Sequence, residues 1–254
     1  MLYVEQVPVL SDNYIYLIHE PHQNVTAVVD PAQAAPVLEI LAKKGWRLNF
    51  ILNTHHHDDH VGGNKELKQH TNCHIVGFNG DKNRIPGIDI TLKEGQEFHL
   101  GDSKAKIIFC PGHTLGHIAY FFEKEKLLFC GDTIFAMGCG RLFEGTAEQM
   151  WQSLKNLRQL PLDTQIYCAH EYTLNNARFA VTIEPHNEEL KLRMQKILGL
   201  RAKNIPTIPS LMSEEIETNP FLRADQKELQ TAIGMVGMSA EKVFAHIRLS
   251  KDHF

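Results

Sequence analysis

The chain has 254 residues, of which 43% are hydrophobic and 22% charged, and these proportions exclude a disordered or fibrous protein. Its 26 basic and 30 acidic side chains give a net charge of −4, which argues against nucleic acid as the main partner. The sequence has no run of about 18 apolar residues, so we expect no transmembrane helix and no membrane partner.

The cysteines and histidines narrow the class of protein further. Five cysteines form no Cys-x-x-Cys pair, and the first ten residues show no secretory signal pattern. We therefore expect reduced thiols and a cytoplasmic location. Histidine is the commonest metal ligand and titrates near neutral pH. The positions of the 15 histidines are therefore the most informative feature of the sequence.

Short apolar runs, rich in β-branched and aromatic residues, alternate with turn residues as far as about Tyr172 and predict strands. Examples of these runs, in chain order, are residues 14–18, 27–29, 50–52, 107–110, 118–122, 127–130 and 166–168. Helical patterns interrupt them behind Pro36 and behind Thr146, which forms a capping-box pair with Gln149. Many strands with few helices predict a layered α/β domain over residues 1–172.

The pattern changes after Tyr172. Apolar residues at helical spacing follow a candidate cap at Asn187, and a second such pattern follows Ser239. A proline-containing linker lies between the two patterns. We therefore predict a small helical domain over residues 173–254.

One segment, Thr-His-His-His-Asp-Asp-His at 54–60, concentrates residues that bind metals, and it directly follows a predicted strand. His55 and His57 are two residues apart, so in extended backbone their side chains can face the same way. Asp59 and His60 follow one turn later and offer a carboxylate and an imidazole to a neighbouring point. Both groups are suitable ligands for zinc and similar divalent ions, so the segment predicts a metal site.

Three further predicted strands end close to a residue of the same type. These residues are His113, Asp132 and His170. Loops at the carboxyl ends of strands can converge, and we expect these three side chains to join the histidine segment at one site. The imidazole and carboxylate ligands accept zinc, iron or manganese, and we expect zinc.

Four motifs together resemble the metallo-β-lactamase superfamily: His-x-His-x-Asp-His at 55–60, Pro-Gly-His-Thr at 111–114, Gly-Asp-Thr at 131–133 and Ala-His at 169–170. The resemblance runs over roughly residues 1–172. It implies an αββα sandwich with a dinuclear metal site. It also implies that one metal ion takes His55, His57 and His113, that the second takes Asp59, His60 and His170, and that Asp132 bridges both.

A narrower resemblance covers essentially the whole chain. Residues 138–146, 170–173, 219–223 and 251–254 are similar to the hydroxyacylglutathione hydrolases, the glyoxalase II family. The resemblance implies hydrolysis of S-D-lactoylglutathione to D-lactate and glutathione, the second step of methylglyoxal detoxification. The glutathione contacts that it implies are Arg141, Phe143, Tyr172, Arg248 and Lys251. Phe143 lacks the hydroxyl that some family members carry at this position.

The mechanism expected from this resemblance uses a metal-bridging hydroxide as the nucleophile, because two divalent ions lower the pKa of a shared water toward about 7. Asp59 is expected to orient that water. The leaving group is a thiolate whose conjugate acid has a pKa of about 8.5, so we expect no dedicated general acid.

The alternative that we keep is a mono-iron sulfur dioxygenase acting on glutathione persulfide, which has the same fold and consumes oxygen. A secreted β-lactamase is disfavoured by the absence of a signal pattern, and a nuclease by the net negative charge. Metals that only brace the fold are a further, non-catalytic hypothesis. We expect a small-molecule substrate, no nucleic acid partner and a monomer.

Overall fold

The computed structural model describes all 254 residues and divides into two compact units. The first unit holds residues 1–109 and 116–131, and the second holds residues 110–115 and 132–254. None of the helices combines the length and hydropathy that crossing a bilayer requires.

The first unit contains ten strands and three helices. The strands are β1 (Tyr3–Val9), β2 (Asn13–Glu20), β3 (Val25–Val29), β4 (Leu48–Leu52), β5 (His74–Phe78), β6 (Ile90–Leu92), β7 (Glu97–Leu100), β8 (Ser103–Phe109), β9 (Ile118–Phe122) and β10 (Leu127–Gly131). The helices are α1 (Ala34–Lys44), α2 (Asp58–Val61) and α3 (Asn64–Thr71), and a 3-10 turn spans Asn79–Asp81.

Six of these strands form a mixed sheet in the order β1-β2-β3-β4-β5-β6. The pairs β1–β2 and β2–β3 are antiparallel, and the pairs from β3 to β6 are parallel. Helix α1 packs Val37 and Leu41 into the core of this unit. The strands β10, β9, β8 and β7 are antiparallel neighbours. Because β3 and β4 are parallel neighbours, their carboxyl ends at Val29 and Leu52 are adjacent, and the loops that follow can share one site.

The second unit is mainly helical. Its helices are α4 (Ala147–Leu157), α5 (Thr173–Ile183), α6 (Glu188–Arg201), α7 (Met212–Thr218), α8 (Lys227–Ala232) and α9 (Ala240–Asp252), and a 3-10 turn spans Pro220–Leu222. Its strands form two antiparallel pairs, β11 (Ile134–Phe135) with β12 (Gly138–Cys139), and β13 (Gln165–Cys168) with β14 (Ser210–Leu211).

The local predictions are confirmed where the sequence carries a physical signal. All seven predicted strands are present, although Cys110 lies beyond the end of β8. Thr146 and Gln149 form the predicted capping box at the start of α4. The side chain of Asn187 caps α6 by accepting a hydrogen bond from the backbone of Leu190. The predicted domain boundary after Tyr172 stays a prediction.

Candidate metal centre and substrate pocket

The first set of predicted ligands lies in the loop after β4, which holds His55 and His57, and in helix α2, which holds Asp59 and His60. Asp30 holds this loop in place. Asp30 follows β3, and its carboxylate accepts hydrogen bonds from the backbone and hydroxyl of Thr54 at 2.8 and 2.6 Å. It also contacts His60 Nδ1 at 3.1 Å. Asp30, Thr54, His55 and His60 are all buried. Two neighbouring parallel strands therefore place a buried carboxylate beneath the ligand loop.

The hydrogen bonds also fix which nitrogen of each histidine is available. The one hydroxyl hydrogen of Thr54 goes to Asp30, so its oxygen accepts from His55 Nδ1 at 3.0 Å. The Nε2 atom of His55 is therefore the lone-pair atom. In the same way, the contact between Asp30 and His60 Nδ1 leaves His60 Nε2 as the ligand atom. Partners of this kind orient metal-ligating histidines.

The candidate ligand atoms of this loop lie in close pairs. His55 Nε2 is 3.1 Å from His57 Nδ1, and His60 Nε2 is 3.4 Å from Asp59 Oδ2. Two ligand atoms on one tetrahedral zinc, each about 2.0–2.1 Å from the ion, are roughly 3.3 Å apart. Both pairs therefore have the spacing that a shared metal ion requires. The amide of Asn13 donates to Asp59 Oδ2 at 3.0 Å and holds that carboxylate.

The second set of predicted ligands lies in the second unit and centres on Asp132. Its Oδ2 is 3.4 Å from His113 Nε2, and its Oδ1 is 3.4 Å from His170 Nε2. All three side chains are buried. One carboxylate therefore presents a different oxygen to each histidine, which is the arrangement that a bridging ligand needs.

The two histidines of this set are held by their neighbours. His113 Nδ1 donates to the carbonyl of Arg141 at 2.9 Å, so its Nε2 is the lone-pair atom that faces Asp132. The ring of His170 stacks on Tyr172 with centroids 4.7 Å apart and an angle of 3°. Gly140 is required here, because a Cβ at this position would lie 2.0 Å from the carbonyl oxygen of Asp132.

A pocket of about 580 Å³ adjoins Asp132 within the second unit. It is lined by His113, Asp132, Phe135, Cys139, Arg141, Phe143, Tyr172, Asn175, Asn176, Arg248, Lys251, Asp252 and Phe254. All five predicted glutathione contacts thus lie in one pocket with two predicted metal ligands. Phe143 is exposed, and its ring meets that of His113 edge-on at 5.2 Å.

The cations of the pocket differ in how they are held. Arg141 is mostly exposed. Arg248 is only 5% exposed and donates to the carbonyl of Cys139 at 2.8 Å and to Asp252 at 3.0 Å. Desolvation, together with the positive charges of Arg248 and Arg141, lowers the pKa of Lys251 to about 8, although the Asp252 carboxylate opposes the shift. The pocket therefore concentrates positive charge and suits an anionic ligand.

The cysteine in this pocket is not a nucleophile. Burial raises the pKa of Cys139 to about 11, although Arg248 opposes the shift. At neutral pH the side chain is therefore a thiol rather than the reactive thiolate.

Comparison with known proteins agrees with this geometry. Residues 10–170 match the model of the metallo-beta-lactamase superfamily, and residues 171–254 match the model of the hydroxyacylglutathione hydrolase C-terminus. The hydroxyacylglutathione hydrolase of Methylococcus capsulatus is 58% identical over 254 residues, which is 100% of this chain and 99% of that protein. The chain belongs to the hydroxyacylglutathione hydrolase family of the metallo-β-lactamase superfamily.

A second relative and a solved structure are also similar to this chain. The hydroxyacylglutathione hydrolase of Rhodospirillum rubrum is 53% identical and covers 99% of this chain and 98% of its own. The crystal structure of ETHE1 from Myxococcus xanthus has a TM-score of 0.68 at 22% identity, with 98% of this chain and 97% of that chain covered. This last likeness shows a shared fold. The predicted fold class is confirmed: a metallo-β-lactamase fold with mixed sheets, followed by the helical C-terminal part of the hydroxyacylglutathione hydrolases.

Sequence reasoning missed several residues that shape this hydroxyacylglutathione hydrolase site. Asn13 holds Asp59 from 46 positions away, and nothing in the sequence near Asn13 signals that contact. Asp30 directly follows the predicted strand at 27–29, and the structure shows that it supports the site by holding Thr54 and His60. Thr54 directly precedes the histidines. Its hydroxyl orients His55 only because the hydroxyl hydrogen is donated to Asp30, and the sequence does not show that contact.

Proposed function

We propose that this chain hydrolyses thioesters of glutathione, with S-D-lactoylglutathione as the substrate, to a 2-hydroxy acid and glutathione. The observation that carries the proposal is the position of Asp132. This residue lines a cationic pocket, and its two carboxylate oxygens face His113 and His170, one each. Relatives at 50–58% identity over the full chain carry the name of this activity.

We propose a dinuclear metal centre held by the predicted residues. His55, His57 and His113 would hold one divalent ion, Asp59, His60 and His170 would hold the second, and Asp132 would contribute to both. The donor set supports this assignment, because all four ligand pairs within the units are 3.1–3.4 Å apart. When bound, the ions would supply a water of lowered pKa as the nucleophile and polarise the thioester carbonyl. Zinc is the proposed metal, because imidazole and carboxylate donors suit it.

The side chains of the pocket bind and orient the substrate. Glutathione carries two carboxylates, and Arg141 and Lys251 supply positive charge to hold them. Arg248 is buried and holds both the backbone of Cys139 and Asp252, so it adds charge while keeping the wall of the pocket in place. Tyr172 stacks on His170 and lines the pocket, and Phe143 contacts the ring of His113 edge-on.

Proton handling in this site needs few groups. Asp59 is held by Asn13 and is our candidate to orient the attacking water. The leaving thiolate of glutathione has a conjugate acid with a pKa of about 8.5, so it departs without a general acid. The pocket thiol Cys139 stays protonated and takes no part in the reaction.

The test of the proposed function separates hydrolysis from the dioxygenase alternative. Loss of the thioester absorbance and release of free thiol from S-D-lactoylglutathione should proceed with no uptake of oxygen at an oxygen electrode. Oxygen uptake with glutathione persulfide, together with an absence of thioester loss, would instead establish the mono-iron dioxygenase.

The lowered pKa of Lys251 gives a pH prediction for substrate binding. The amine is charged below pH 8, and it loses its proton as the pH rises through the folded-state value of about 8. We expect KM for the anionic thioester to rise about tenfold between pH 7 and about 9.5, because a hydrogen bond to a charged group contributes about 1.5–3 kcal/mol. Steady-state kinetics across this range measure the rise.

The matched control is Lys251→Arg, which keeps its charge throughout the range. Arg141, Arg248 and Asp252 surround the same position and are unchanged in both proteins. The rise in KM should be absent in the variant. An equal rise in both proteins would show that another group titrates.

We also propose a cytoplasmic location and a monomer. The support for the location is chemical: all five cysteines are free thiols, as in a reducing compartment. Fractionation and light scattering test the two proposals.

A further inference from the structure

His56 stands between two proposed metal ligands and is held by both of its ring nitrogens. Its Nδ1 lies 3.0 Å from Asp81 Oδ2, and its Nε2 lies 3.3 Å from Arg84 Nη1. A guanidinium can only donate, so Nε2 accepts, and Nδ1 carries the hydrogen that goes to Asp81. The tautomer and the ring orientation of His56 are therefore fixed.

Asp81 is the buried centre of this group. It ends the 3-10 turn after β5, and its side chain is 1% exposed. Its Oδ1 accepts from Arg84 Nε at 3.1 Å and from Nη2 of the same guanidinium. Gly116 also lies against this carboxylate, and a Cβ there would approach Asp81 Oδ1 to 1.9 Å, so only glycine leaves room for it. A carboxylate this deeply buried is stable only with such partners.

The two carboxylates anchor different residues of the same loop. Asp30 holds Thr54 and His60 at the ends of the ligand segment. Asp81 holds His56 in the middle of this segment. The backbone of His56 is directly joined to that of His55 and His57. The nitrogens of these two ligands are 3.1 Å apart, a separation that depends on the backbone between them.

We propose that Asp81, with Arg84, is a positioning residue that acts through His56 to set the spacing of His55 and His57, and so sets the metal affinity of that pair. The inference rests on the metal centre proposed above. Outer partners of metal ligands change affinity or activity by about 10–100-fold when they are removed. Asp81 differs from such a partner in one respect: it holds the residue between the ligands rather than a ligand itself.

The test compares zinc affinity of metal-free wild type and Asp81→Asn by competition with a chromophoric chelator. Asparagine keeps the size of the side chain but loses the charge that holds Arg84. We expect the affinity of one of the two zinc ions to fall about 10–100-fold. In ¹⁵N-histidine NMR spectra of the metal-free protein, the Nδ1–H signal of His56 should shift or broaden.

The matched control is Asp89→Asn. Asp89 lies in the same unit and likewise accepts from a cation, Lys68, and from the backbone of Ile75, but it has no contact with the ligand loop. Its removal should leave zinc affinity unchanged. If Asp81→Asn does not fold, Arg84→Gln serves in its place, because Arg84 is 38% exposed, and a smaller loss in the same direction is expected.

The outcomes separate this inference from the proposed function. A selective affinity loss in Asp81→Asn with the NMR change supports the inference. Wild-type affinity in both Asp81→Asn and Arg84→Gln overturns it, and so does an equal loss in Asp89→Asn, which would mark general destabilisation. A wild-type protein that binds no zinc overturns the proposed metal centre and the inference with it.

Discussion

Replacing Asp132 with asparagine is expected to lower kcat for S-D-lactoylglutathione by about 10²–10³-fold, a loss as large as that found when one oxyanion-hole donor is removed from an enzyme. The reason is geometric. Asp132 presents one oxygen to His113 and the other to His170, each at 3.4 Å. An asparagine keeps only one oxygen, and its amide nitrogen cannot bind a cation. Kinetics and metal analysis of one preparation measure both effects, and the metal content should fall with kcat.

Asp102→Asn is the control for this substitution. Asp102 is exposed and pairs with His22, away from the predicted ligands. The kcat of the Asp102→Asn variant should match that of the wild type. Circular dichroism should show that both variants are folded. An Asp132→Asn variant that keeps both metal ions and more than half of its kcat would refute the bridging role.

The largest expected effect on stability comes from Glu215, which lies in the core of the second unit. Its carboxylate pairs with buried Arg193 and accepts hydrogen bonds from the backbone of Met137 at 2.9 Å and from Asn219 at 3.0 Å. Glu215→Gln leaves the guanidinium of Arg193 buried without an anion. We expect the free energy of unfolding to fall by about 3–5 kcal/mol, the range found when one partner of a buried pair is removed. Urea unfolding measures the change.

The control is Glu189→Gln, an exposed position on helix α6 where the effect should stay within about 0.5 kcal/mol. The stability effect has a consequence for the pocket. Met137 connects β11 to β12, and Asn219 donates to the carbonyls of Phe135 and Gly138 in this hairpin. Because Arg141 follows the hairpin closely, KM should rise in Glu215→Gln. Unfolding free energies that are equal in the two variants would contradict the prediction.

The proposed ligands could be predicted because their signals are local. Metal ligation is restricted to few residue types, and His55, His57, Asp59 and His60 lie within six positions. The other three ligands could be predicted from strand ends, because His113, Asp132 and His170 each follow an apolar run closely. Helix starts were equally local, as the caps at Thr146 and Asn187 show.

The residues that support the site could not be predicted, because their contacts join distant parts of the chain. Asp81 reaches His56 across 25 positions, and Glu215 reaches Met137 across 78. In the sequence, a buried aspartate or glutamate cannot be distinguished from an ordinary exposed one, because its partners are not visible there. Strand β1 was missed for a different reason: Pro8 and polar residues interrupt its apolar pattern, and an edge strand tolerates them.

The claim on which this account depends is that the histidines and aspartates hold two divalent ions that make the hydrolysis possible. It is tested most directly by measuring metal content per chain and turnover of S-D-lactoylglutathione in one preparation, before and after chelation. We predict two ions per chain, turnover that disappears with their removal, and recovery when zinc is added back. Full turnover by the metal-free protein would contradict the account.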